Sequence, residues 1–478
     1  MDVHFGCQAA RGDERLRAPA VVISRPQRLS PPNLPLNRTM TSLSPKQPRR
    51  GMEAFASRDF SRYQLARFVA VLGAEAQAVA VAWQVYSITH RPLDLGYTGL
   101  ALFLPSLLFL LAAGHLADRF DRRRILLVCY GLQMVCSTAL VAMAYRGSQS
   151  VYPIYAVLFL IGTGRAFAGP ASASLIPQLV PEKHFVNAVT WGGATFQFAN
   201  VTGPALGGLL FTLPLGHLLA GWGMEGAGIV YVFNVAALVW FLVLVASLHT
   251  RTGRMEPQAT SWKVVLAGFQ YVGRSSLLLG AISLDLFVML LGGAVALMPI
   301  FAQEILHTGP AGLGMLRAAP AVGSVIMSLA LARFPLHRRA GRSLFIAVAL
   351  FGVATVLFGL SRSMWISLVA LAISGAADSV SVVIRGTLVQ LATPPEMRGR
   401  VSAVNSLFIG ASNELGAFES GLTAQWWGAV RATLVGGLGA LAVAGLWAGL
   451  FPGLRRADKL TVEALRALAA PQEIPPGG

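Results

Sequence analysis

Predominantly apolar runs, each long enough to make five or more helical turns, follow one another through this chain with short polar gaps between them. They lie near 62–88, 95–117, 124–146, 150–176, 187–211, 227–248, 275–303, 310–332, 343–361, 363–391, 398–424 and 430–451. A bilayer core of roughly 30 Å is crossed by about 20 helical residues, and lipid offers no partner to an unpaired backbone N–H or C=O, so each run is expected to span as an α-helix. Composition agrees: 55% of residues are hydrophobic, 12% are charged, and the mean hydropathy is +0.61. Such a balance lies outside the range of soluble domains. The three cysteines offer no metal site. Cys129 and Cys136 are seven residues apart in one helix, roughly 10.5 Å along its axis, and cannot pair with each other.

The net charge of +17 matters through its placement. Counting from the first span, even-numbered connections carry fifteen Lys/Arg residues, while odd-numbered ones carry only Arg91, Arg146, Arg362 and Arg431. Positive loops stay inside, so both termini are expected on the cytoplasmic side of a multi-pass protein in the cell inner (plasma) membrane. Residues 1–51 hold nine Lys/Arg against three acids, are rich in proline and lack a long apolar run. This segment reads as a disordered basic tail, with no aromatic interleaving of the kind that binds nucleic acid. Met52 is a natural alternative start.

The longest internal connection, 249–274, contains "SWKVVLAGFQYVGRS", which alternates apolar and basic positions like a helix lying on a membrane surface. It divides the spans into six (62–248) and six (275–451), leaving 452–478 as a C-terminal tail. At offsets near 210 to 215 the halves show similarity: "NVTGPALGG" with "NELGAFESG", "PQLVPEKHFVNAV" with "VQLATPPEMRGRVSAV", and "FLPSLL…GHLADRF" with "AAPAVG…LALARF". Ordered matches at one offset indicate duplication. The expected fold class is therefore an all-α integral membrane protein with twelve transmembrane helices in two six-helix pseudo-symmetric bundles.

Between the second and third runs stands "GHLADRFDRRRIL", with six charged side chains in seven positions. Together with the twelve spans in two repeats, its G-x-x-x-D-R-x-x-R-R-R pattern resembles the major facilitator superfamily of secondary transporters. That resemblance implies a gating motif at Gly114, Asp118, Arg119, Arg123 and Arg124, in which Asp118 caps a neighbouring helix and latches the cytoplasmic side. Asp121 stands where the family pattern has glycine, a position Asp tolerates in turns. "GPALGG", with Gly203, Pro204, Gly207 and Gly208, resembles part of a motif of the export branches; its residues also suit close helix packing. The text from "GAADSVSVVIRG" to "NELGAFESG", with "AWQVYSIT" earlier, is similar to an efflux subfamily that includes enterobactin exporters.

Ionisable residues inside spans are costly and mark function: Glu75, Arg165, Asp285, Arg317, Asp378, Arg385, Glu414 and Glu419. Ser374, Asp378, Ser381 and Arg385 recur at helical spacing and form one stripe expected to face a substrate cavity, joined by Gln77, Gln84 and Arg165. Asn200 and Asn413 read as interhelical hydrogen-bonders. A carboxyl in apolar surroundings takes a proton more readily than in water, so Asp285, Asp378, Glu75 and Glu414 are proton-coupling candidates. Asp285 leads, because its nearest charges in sequence are Arg274 and Glu304; Asp378 shares a helical face with Arg385. Static ion pairs, Asp378 with Arg385 or Glu414 with Arg317, are the structural alternative.

No phosphate-cradling G-x-x-x-x-G-K-[ST], G-x-S-x-G or H-E-x-x-H occurs, which argues against an ATP-driven pump or a membrane enzyme. The expected function is a secondary active transporter: proton-coupled export of a small, partly apolar molecule, siderophore- or drug-like, by alternating access. It would work as a monomer, with the lipid bilayer, proton and cargo as partners and with no cofactor, metal or nucleic acid. A transporter-fold receptor, sensor or assembly partner is the alternative.

Overall fold

The computed structural model describes residues 51–213, 226–249, 262–334 and 339–457; the tail 1–50, residues 250–261 of the connection and residues 458–478 lie outside them. Every regular element among the described residues is helical. Before the long connection come α1 (Arg58–Thr89), α2 (Pro92–Leu108), α3 (Leu110–Arg119), α4 (Arg122–Tyr145), α5 (Tyr152–Leu179), α6 (Phe185–Thr212) and α7 (Ala227–Ala246). After it come α8 (Trp262–Arg274), α9 (Ser276–Gly292), the single turn α10 (Met298–Ile300), α11 (Gly309–Arg333), α12 (Ala340–Leu360), α13 (Met364–Ala392), α14 (Arg398–Trp427), α15 (Ala429–Leu450) and the short α16 (Pro452–Arg455). Nine helices among the described residues are long and apolar enough to cross a membrane, counting Ser276–Ile305 as one.

Local chemistry sets the boundaries. Ser57 caps α1 through its Oγ, and the helix ends at His90 in the left-handed conformation. Pro92 opens α2 at a position where its missing N–H costs nothing. The second apolar run is not one helix: Phe109 at ψ 9° breaks it into α2 and α3. After α3 the chain extends through Phe120, and Asp121 caps α4 by accepting from the Arg123 N–H at 2.9 Å. Asp121 has φ −60°, so this turn needs a capping carboxylate and no left-handed residue. The seventh run is likewise interrupted, bending at Gly293 and closing with a π-turn, Phe301–Ile305.

Four apolar cores organise the ends. Where α1 begins, Phe60, Tyr63, Leu126, Leu175 and Phe241 form one core drawn only from helices before α8. At the same end, Leu278, Leu344, Leu388, Val404 and Leu454 form a separate core drawn only from later helices. At the opposite end Leu140, Ile154, Val230 and Tyr231 belong to a core again drawn only from the earlier helices, and a further core joins the two sets, with Val79, Tyr86 and Leu95 packed among Phe301, Leu313, Phe358 and Ala424. Glycines make that junction close. A Cβ on Gly208 of α6 would lie 3.0 Å from Gly314 Cα of α11, and one on Gly421 of α14 would lie 3.1 Å from the Gly96 nitrogen of α2. Tyr86 also donates a hydrogen bond to Glu304 across it.

Candidate functional site

Between the two helix sets lies a cavity of about 490 Å³. Its charged lining comes from five helices: Glu75 from α1, Arg165 from α5, Arg317 from α11, Asp378 from α13 and Glu414 from α14. Gln77, Thr98, Ser374 and Asn413 add neutral polar groups. Small residues make room for the acids. A Cβ at Gly99 of α2 would stand 2.9 Å from the Glu414 Oε2, and one at Gly203 would meet the Glu75 Cβ at 2.6 Å.

Glu75, Arg165, Arg317 and Glu414 make no ion pair or hydrogen bond with another described residue, although Arg317 feels the charges of Glu75 and Glu414, and Glu414 those of Arg165 and Arg317. Opposite charges thus face one another across the cavity without closing onto each other. The expected static pair of Glu414 with Arg317 is not formed.

Asp285 is not isolated. Arg385 of α13 reaches α9 and forms a direct ion pair with the Asp285 carboxylate, while its other guanidinium nitrogen lies 3.9 Å from Asp378 Oδ1. Its Nε donates to the Ser381 carbonyl at 3.3 Å. Asp285 and Arg385 are both buried, whereas Asp378 is open to the cavity. The isolation read from spacing along one chain fails because it does not register a cation delivered from another helix. The cavity-facing stripe is also shorter than expected. Ser374 and Asp378 line the cavity, but Ser381 and Arg385 turn into the packing between α9 and α13.

The two glutamines of α1 diverge. Gln77 lines the cavity and accepts from Asn234 Nδ2 at 2.8 Å, and Asn234 donates to Ser137 as well. Gln84 lies away from the cavity, where its Oε1 accepts from Tyr231 at 2.6 Å. Asn413 reaches the cavity and Asn200 does not. Arg317 sits on the wall, although nothing in its spacing set it apart from the other intramembrane charges. Of the acids that face it, Glu414 was paired with it in one sequence reading, while Glu75 joins them only once α1, α11 and α14 are brought together.

Gly203, Gly207 and Gly208 do serve packing. Gly207 lies against the Ala76 backbone, where a Cβ would be 2.7 Å from Ala76 Cα, and the Pro204 carbonyl faces Gly314. In the charged loop, Gly114 lies within α3 and Arg119 and Arg124 are exposed. Arg123 donates to the Leu248 carbonyl at 2.8 Å and to the Ala246 carbonyl, capping the end of α7, where a cation meets the negative pole of the helix. Asp118 falls in α3, and its side chain lies outside the described residues.

A family model described as transmembrane secretion effector matches residues 51–474. The enterobactin exporter EntS of Shigella dysenteriae serotype 1 is 28% identical over 382 residues, covering 79% of this chain and 84% of that protein. EntS of Escherichia coli O157:H7 is 28% identical over 384 residues with the same coverage. Among solved structures, a bacterial homologue of the iron transporter ferroportin in an inward-facing state superposes with a TM-score of 0.60 at 18% identity, covering 82% of this chain and 98% of that one. A bacterial homologue of the human lysosomal transporter Spinster, inward-facing and unoccupied, gives 0.56 at 19% identity, covering 85% and 96%. With its helical fold shared by these transporters and a family match over most of its length, the chain belongs to the transmembrane secretion effector family of the major facilitator superfamily, whose members are transporters and not enzymes.

Proposed function

We propose that this chain is a proton-coupled exporter of a small, partly apolar molecule, working by alternating access. In this reading twelve spans form two six-helix bundles, 62–248 and 275–451, joined by 249–274, with both termini cytoplasmic and the protein acting as a monomer in the cell membrane. The observation that carries it is the charged cavity between helix sets that share a core at one end and keep separate cores at the other. Such a joint can close at one face while admitting cargo at the opposite one, and needs only a second arrangement to reverse. The separate cores lie at the end bearing the arginine-rich loops, so the open face is the cytoplasmic one.

Asp378 is the proposed proton carrier. It faces the cavity and competes with Asp285 for a single guanidinium, so it can accept a proton while Arg385 stays matched. Export is the direction supported by the relatives, and enterobactin is the first cargo to try. Purified protein in proteoliposomes, given a proton gradient, should move enterobactin against its concentration gradient and stop when a protonophore is added. Flux indifferent to the protonophore would remove proton coupling, and absence of flux for this and other small amphiphiles would remove the exporter reading.

A further inference from the structure

The cavity presents two permanent cations and two acids that make no ion pair or hydrogen bond with another described residue. Arginine keeps its charge in any protein setting, and an unpaired guanidinium within a membrane is costly, so Arg165 and Arg317 require an oxygen acceptor from water or cargo. Glu75 and Glu414 equally require a donor. The fifth charged group on the wall, Asp378, lies 3.9 Å from the guanidinium of Arg385. With Asp378, the proposed proton carrier, in its protonated form, the four remaining charges sum to zero. A cargo of one net sign would leave an uncompensated charge in a weakly screening interior, whereas a molecule bearing both signs would not. The glycine at 99 keeps space open beside the Glu414 carboxylate, and about 490 Å³ suits a drug-sized molecule.

We infer that this site takes an amphoteric cargo, whose acidic oxygens lie on Arg165 and Arg317 and whose amine or other strong donor lies on Glu75 and Glu414. The inference rests on the reading that this cavity is where cargo binds. Each sign is supplied from both sides of the cavity, Glu75 and Arg165 from helices before α8 and Arg317 and Glu414 from helices after it. A bound amphoteric molecule therefore ties the two sets together.

The test uses one aromatic scaffold in four charge states with purified full-length protein in detergent. The compounds are 4-(aminomethyl)benzoate, 4-methylbenzoate, 4-methylbenzylamine and 4-methylbenzyl alcohol, followed by equilibrium dialysis. The zwitterion should be retained at least about tenfold more strongly than each isostere, in line with the loss of one charge-assisted contact. Arg165→Gln and Arg317→Gln should shift preference toward the amine, and Glu75→Gln and Glu414→Gln toward the carboxylate. A gain of a new preferred partner cannot come from misfolding. Equal retention of the four compounds by the natural protein, or variants without this crossover, overturns the inference. Proton-driven enterobactin flux without a zwitterion preference would sink this inference and leave the exporter reading standing; the preference without such flux would do the reverse.

Discussion

Arg385 has one guanidinium and two carboxylates within reach, and it commits to Asp285, leaving Asp378 at 3.9 Å and open to the cavity. Removing one member of a buried ion pair strands the other, a loss of about 3–5 kcal/mol. Asp285→Asn is therefore expected to lower the thermal unfolding midpoint strongly, with Asp285→Asn/Arg385→Gln recovering part of that loss, because the double change leaves no orphan charge. Asp378→Asn should leave the midpoint nearly unchanged and abolish proton-driven flux. The opposite pattern, with Asp285→Asn stable and uncoupled, would restore Asp285 as the carrier. Much of this site was legible: every charged group on the cavity wall is an intramembrane charge that hydropathy alone picks out. Which charge answers which was not, since Asp285 and Arg385 are a hundred residues apart and meet only when α9 and α13 pack.

At the scale of elements, close helix crossings carry the joint. Gly208→Val would drive a branched side chain into the α11 backbone, where Pro310 O and Gly314 Cα leave 2.6 and 3.0 Å for a Cβ. Overpacking of this kind costs about 1–3 kcal/mol, and it should appear as lower thermal stability in detergent and weaker flux, while Gly131→Ala in α4, with open space around it, should change neither. In the charged loop Asp121→Ala removes the cap of α4 and is expected to cost about 1 kcal/mol; restoration by Asp121→Ser would identify capping as the cause. The segment ahead of α1 is also built in, since the Gly51 carbonyl accepts from Trp191 Nε1 at 2.8 Å and Asn187 Nδ2 at 3.0 Å. A chain starting at Gly51 should therefore be more thermostable than one starting at Met52, which lacks this acceptor and both hydrogen bonds to it.

For the whole molecule, one shared core at one face and two separate cores at the other predict which face must break for cargo to leave. Tyr97 of α2 and Phe418 of α14 face each other across that junction with ring centroids 5.8 Å apart, so Tyr97→Cys and Phe418→Cys can be joined by a short bis-methanethiosulfonate crosslinker. Crosslinking should halt flux, and reduction should restore it. Undiminished flux in the crosslinked protein would mean that this junction does not open during the cycle. Tyr86→Phe removes the hydrogen bond to Glu304 that spans the same junction, and should ease its opening, read as faster labelling of a Ser374→Cys thiol by a membrane-impermeant reagent from the side of the shared core.

What the sequence settled by itself was the class of molecule: apolar runs of bilayer length, basic loops on alternate connections, and a charged loop of recognisable pattern. These are properties of contiguous residues, and hydrophobic burial and backbone pairing act on contiguous residues first. Helix starts are local as well, set by Ser57, Pro92 and Asp121 at their caps, although the apolar runs alone placed the first two starts later, near 62 and 95. The tertiary structure decided what depends on two segments meeting. It turned Gln84 toward Tyr231 while Gln77 stayed on the cavity wall, tied Arg385 to Asp285, and sent Arg123 to the end of α7. Above all it set Glu75, Arg165, Arg317 and Glu414 facing one another with no ion pair among the described residues, because electrostatic partnership falls with distance through space and is blind to distance along the chain.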